Sequence, residues 1–178
     1  MFGLDGGTKK ARVPIFAKQL AQDAAVAGNT MGAATEVAMA AHTIPAQILG
    51  VARRKIRYRA KIYIPASVGT DTFRFRVRIG ATGVAGVLVA DTTAIDVANG
   101  NVFTIEGELD IRTLGSGGTF DSVSRLYNPV AATSSQSAVT AGALNTTVAR
   151  DLTVTAECSA NASGDQAELR SFEVEAFA

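Results

Sequence analysis

The sequence predicts an all-β chain, an antiparallel β-sandwich of jelly-roll type. Three observations carry this. Apolar and polar side chains alternate over residues 54–64, 72–80 and 102–114, the period of a strand with one buried and one solvated face. Turn residues recur between those stretches, with Asn99–Gly100 the strongest tight-turn signal. The composition is small, β-branched and Gly-rich, with 17 Gly, no Trp and an apolar share of 47%, which favours strands and turns over long helices. A chain of 178 residues suits one domain with one core.

Residues 1–32 differ from the rest, being rich in Gly, Ala and Lys without period-2 alternation. Two readings stand side by side: a short helix opened by Pro14 that carries Ile15, Phe16 and Leu20, or an extended arm that orders on a partner. The sandwich is assigned to residues 33–178. Residues 35–41 and 44–51 are short apolar runs set apart by His42, Thr43 and Pro45. In 54–64, Ile56, Tyr58, Ala60, Ile62 and Ile64 share one face, and Lys55, Arg57, Arg59, Lys61 and Tyr63 the other. After a turn at 65–70, Phe73, Phe75, Val77 and Ile79 point inward and Arg74, Arg76 and Arg78 outward.

A short strand at 86–90 precedes the Asn99–Gly100 turn. Phe103, Ile105, Leu109 and Ile111 then oppose Thr104, Glu106, Glu108, Asp110 and Arg112. A Gly turn at 115–118 leads to a strand at 119–127. Residues 128–145, an Ala/Ser/Thr stretch with Pro129 and Gly142, read as a long surface loop. Strands at 146–158 and 167–177, joined by a turn at 161–165, complete the sheets. Long connections mixed with tight hairpins favour jelly-roll or Greek-key order over a meander.

Charge is patterned, not abundant. The formal net charge is +1, so no global field draws the chain to nucleic acid or an anionic membrane. The basic ladders Lys55–Arg57–Arg59–Lys61 and Arg74–Arg76–Arg78 each need an acidic neighbour, since like charges opposed across strands repel. Glu106, Glu108, Asp110, Glu173 and Glu175 can supply it. A solvated, salt-bridged face that guards against edge pairing is one reading; a subunit interface using charge for register is the other. Nucleic-acid binding is disfavoured because period 2 turns the aromatic side chains away from the arginines.

The residues imply no enzyme, cofactor or metal. His42 is the one histidine and lies among small and apolar residues, so no Ser–His–Asp set forms without it. Cys158, the one cysteine, reads as a buried inert thiol. Gly80, Gly83 and Gly86 lack the Lys-Ser/Thr ending of a phosphate loop. Asp91, Asp96 and Asp121 lack the dense acidic spacing of a calcium loop. No signal peptide and no transmembrane helix are expected, and a reducing cytoplasm is the expected place of folding.

Taken in order, residues 72–80 (TFRFRVRIG), 103–119 (FTIEGELDIRTLGSGGT) and 147–160 (TVARDLTVTAECSA) resemble the jelly-roll virion proteins of tailed bacteriophages, capsid decoration (cement) proteins among them. The resemblance spans roughly residues 54–178. It implies assembly in the host cytoplasm onto a capsid surface, a homotrimer, contact with the major capsid or another virion protein, and no catalytic residues. Candidate interface residues are Lys9, Lys10, Arg12, Phe16 and Leu20 in the arm, with Arg57, Arg59, Arg74, Arg76 and Arg78 on the sheets. The alternatives are a phage tail, spike or host-attachment module, and a carbohydrate-binding sandwich. The second is disfavoured by the absence of Trp.

Overall fold

A computed structural model describes residues 35–67, 71–80, 83–128, 134–159 and 165–177, with 134–141 described by backbone alone. Segment 1–32, with Lys9, Lys10, Arg12, Phe16 and Leu20, lies outside the described residues, as does most of the turn expected at 161–165.

Among the described residues, ten strands form two antiparallel sheets, in keeping with the alternating patterns. Strand β1 (Val37–Ile44) leads through a single helical turn, α1 (Ala46–Leu49), to β2 (Lys55–Ala66). Next come β3 (Thr72–Gly80), a 3-10 turn at Gly83–Ala85, β4 (Val87–Asp91) and the two-residue β5 (Ile95–Asp96). The chain continues through β6 (Val102–Thr113), β7 (Thr119–Tyr127), β8 (Ser134–Ala143), β9 (Arg150–Cys158) and β10 (Gln166–Phe177). The β1 sheet has the order β1-β9-β3-β4, with β5 on β3; the β2 sheet has the order β10-β2-β6-β7-β8. Strands distant in sequence thus become neighbours, the interleaving expected of a jelly-roll-like sandwich.

The core lies between the sheets. Ile56, Tyr58, Ala60, Ile62 and Ile64 of β2 are at most 2% exposed, so the predicted inner face of that strand is the observed one. Phe75 of β3 meets Phe103 of β6 across the gap at a ring-centroid distance of 5.7 Å, and Phe73 stacks beside Phe75 at 6.1 Å. Offset aromatic contacts of this kind supply most of the bulk in a core otherwise made of Ile, Val and Ala. The Ser122 hydroxyl donates to the Val89 carbonyl oxygen at 2.7 Å, tying β7 of one sheet to β4 of the other.

The apolar run 44–51 is split by Pro45: β1 carries on through His42 and Thr43 to Ile44, and Pro45, at φ −61°, starts the turn of helix α1 that Gly50 ends. One expectation is corrected. Within the stretch read as a loop, 128–145, Ser134–Ala143 is strand β8, paired antiparallel with β7. Its Ser, Thr and Ala residues carry no amphipathic signal, and pairing to β7 is made by the main chain. Gly142 fits there because the Phe120 ring occupies the space a Cβ would need, 2.3 Å from Cζ.

Candidate functional site

Each sheet carries an ionic array on its outer face, and the two arrays are built differently. On the β1 sheet, Arg74, Arg76 and Arg78 project from β3. The acidic neighbours are not one ladder but three separate residues. Glu157 comes from β9, Asp91 from β4, and Glu36 from the residue that precedes β1.

Arg76 Nη1 donates to Glu36 Oε2 at 2.9 Å and to Glu157 Oε2 at 2.5 Å. Arg78 grips the same Glu36 carboxylate with Nε and Nη2, both at 2.7 Å. Thr155 also donates its hydroxyl to Glu36. Arg74 makes a two-pronged contact with Asp91, through Nε at 2.8 Å and Nη2. Three guanidinium groups thus meet three carboxylates. The expected solvated ladder is corrected at Arg76, which is only 7% exposed. A buried cation survives there because the carboxylates of Glu36, Glu157 and Asp91 surround it and match its charge.

Burial works against ionisation of Glu36. The hydrogen bonds from Arg78 and Thr155, with the charges of Arg76 and Arg78, outweigh it and hold the carboxyl below the usual carboxylate range. Asp91 follows the same logic: burial opposes its charge, and Arg74, the Thr93 amide and Arg76 more than compensate.

On the β2 sheet the charges run in columns, and strand register sets them in rows. One row reads Glu173–Arg59–Glu106–Arg125, across β10, β2, β6 and β7. The row beside it reads Glu175–Arg57–Glu108–Val123. The basic strand β2 thus lies between two acidic strands, as cross-strand charge pairing requires. Lys55 and Arg57 both reach Glu108, at 2.5 and 2.9 Å, and they lower its pKa despite partial burial. Arg57 also lies 4.7 Å over the Phe177 ring.

The row Glu173–Arg59–Glu106–Arg125 behaves differently. All four residues are exposed, stand in register with unlike charges, and form no ion pair among the described residues. Between the two rows lies a shallow depression of about 630 Å³, with Tyr58, Gly107 and Ser124 among its lining residues. Gly107 is required in this lining. The Tyr58 ring lies against it from inside the core, and a Cβ at 107 would sit 2.3 Å from the Tyr58 hydroxyl oxygen.

Of the ten candidate interface residues, Arg57 and Arg59 share the β2-sheet face, while Arg74, Arg76 and Arg78 lie on the opposite side of the sandwich. The five arm residues lie outside the described residues. Sequence reading missed Glu36, Asp91 and Glu157 as counterions and Arg125 as the end of the exposed row. Only their strand neighbours reveal them.

His42 sits on β1, half-buried. Burial pushes its imidazole pKa below the ordinary value, with the Asp151 charge opposing. Cys158 is fully buried, its Sγ 3.5 Å from Asp165 Oδ2. Among the described residues no three His, Cys, Asp or Glu side chains converge as a metal-binding group. No helix among them is long and apolar enough to cross a membrane.

No protein-family model matches the chain, and no curated protein matches it. Similar solved structures include the CBM2 module of the evolved Dit of Lactobacillus casei BL23 phage J-1. That match has 11% identity and a TM-score of 0.44, and covers 76% of this chain and 67% of that one. The lectin UEA-II complexed with galactose matches at 10% identity and TM-score 0.43, covering 80% of each chain. Lectin II from Ulex europaeus matches at 8% identity and TM-score 0.41, covering 70% of this chain and 74% of that one.

Proposed function

We propose that this chain is a structural virion protein of the capsid-decoration kind, which works by fitting against copies of itself and against a larger particle. One observation carries the reading. The β1-sheet array is closed around the buried Arg76, its charges paired within the chain, whereas the β2 sheet presents a charged row that no group among the described residues neutralises. An exposed array with charges in fixed register is suited to choosing a partner and its orientation.

The β1 sheet supports the other half of the proposal. Glu36 pins the chain just before β1 onto the outer face of that sheet. The described chain starts on that face, at residue 35. On this reading the β1 sheet looks toward the particle and the β2 sheet toward other copies. Several weak arm contacts on one assembly would add through avidity.

A sugar-binding role finds little support at the depression. Tyr58, the aromatic residue in its lining, is only 2% exposed and keeps its ring in the core. Flat sugar platforms rest on exposed aromatic faces.

The test is immunogold labelling of intact virions with antibody to the purified protein, followed by particle binding with residues 1–32 deleted. Label spread over the head, and loss of binding on deletion, are expected. Label confined to the tail replaces decoration with a tail or attachment role. Unlabelled particles overturn the virion reading.

A further inference from the structure

Resting on the reading that the chain assembles with its own copies, we propose that two copies meet through the outer face of the β2 sheet. They are related by a two-fold axis that lies in the contact plane, parallel to the strands, between β2 and β6. This is a two-fold contact where the resemblance implies a trimer.

The argument is one of charge geometry. The face has an acidic column on β10 (Glu173, Glu175), a basic column on β2 (Arg57, Arg59), an acidic column on β6 (Glu106, Glu108), and Arg125 on β7. A two-fold contact must pair the surface with itself. An axis perpendicular to the strands lays β2 on the β2 of the second copy, like charge on like. An axis running along any one strand does the same for that strand. An axis between β2 and β6 instead lays β2 on the second copy's β6, and β10 on its β7.

Row order is preserved by that rotation. Arg59 then faces Glu106 of the second copy, and Arg125 faces Glu173, each twice by symmetry. The four exposed side chains that form no ion pair among the described residues all gain one across the contact. Arg57 meets Glu108 in the neighbouring row, and Lys55 meets Asp110 beyond it, in the same sense. The pattern that keeps the sheet in register is therefore also self-complementary about this axis. The apolar residue Val123, 47% exposed, comes opposite Glu175 and adds no repulsion.

Exposed ion pairs are individually weak and screened by salt. The contact should form at low ionic strength and dissolve at high. Sedimentation velocity of the full chain is expected to show a dimer at about 0.01 M salt, where the Debye length is about 30 Å. A monomer is expected at about 1 M, where it is about 3 Å.

Two variants test the geometry. Arg59→Glu with Arg125→Glu makes the row wholly acidic and is expected to be monomeric at every salt concentration. Inverting the whole row (Glu173→Arg, Arg59→Glu, Glu106→Arg, Arg125→Glu) keeps unlike neighbours along the sheet and so preserves the fold. The inverted protein is expected to dimerise with itself, yet labelled wild-type chain should not exchange into its dimers.

Wild-type protein that stays monomeric at low salt overturns the proposal. So does a dimer indifferent to the acidic row, or one that mixes freely with the inverted chain. A monomer that nonetheless labels virions overturns the contact alone. A dimer with the stated behaviour, from a chain that labels no particle, overturns the virion reading alone.

Discussion

Glu36 has more riding on it than any other described polar residue, since three side chains from two strands converge on its carboxylate. Replacing it leaves Arg76, 8% exposed at its side chain, with a buried charge that Glu157 and Asp91 must neutralise without it. Removing one partner of a buried pair typically costs about 3–5 kcal/mol. Glu36→Gln is expected to lower stability by an amount of that order, read from urea unfolding at neutral pH. The same residue predicts an acid dependence. Glu36 and Asp91 are held below their ordinary values of 4.5 and 3.8 in the folded state. The stability they contribute is therefore present above those ordinary values and lost as pH falls through the lower folded-state ones. Unfolding midpoints should drop below about pH 4.5, and less steeply in Glu36→Gln than in the parent chain. An equally steep drop in the variant would place the acid sensitivity elsewhere.

At the scale of elements, period 2 was a reliable guide wherever one face carries large apolar side chains. Strands β2, β3 and β6 stand where alternation puts them, with the predicted apolar faces inward, and β7 fills the strand expected at 119–127. The guide failed at β8, because SSQSAVTAGA offers neither bulk nor charge to alternate. It is silent after Pro45, where a short apolar run reads equally as strand or helical turn. Strand β8 makes a prediction that a loop would not. Hydrogen exchange should find amides within Ser134–Ala143 that bond to β7 protected, in alternation with fast-exchanging ones that face away. Uniformly fast exchange across the segment would return it to a loop.

For the whole molecule, the two ionic arrays divide the work. One is internal and holds the start of β1 against β9 and β3; the other is presented to the surroundings. Truncations separate the first role from the arm. Deleting residues 1–32 is expected to leave the thermal unfolding midpoint unchanged, while deleting through Glu36 should lower it by several degrees, since about 1 kcal/mol moves a domain of this size by roughly 2–4 °C. Equal melting of both truncated chains would mean that Glu36 contributes little to the fold.

The sequence by itself determined the class of fold, the inner face of each strongly alternating strand and the need of β2 for acidic neighbours. These follow from side-chain period and cross-strand charge, which act over a few residues. Tertiary structure alone decided which acids meet Arg74, Arg76 and Arg78, that Arg76 is buried, and that Arg125 completes the exposed row. Glu36 and Arg78 are 42 residues apart, and Thr155 is 119 from Glu36. Contacts across such separations depend on strand order, which no local pattern encodes.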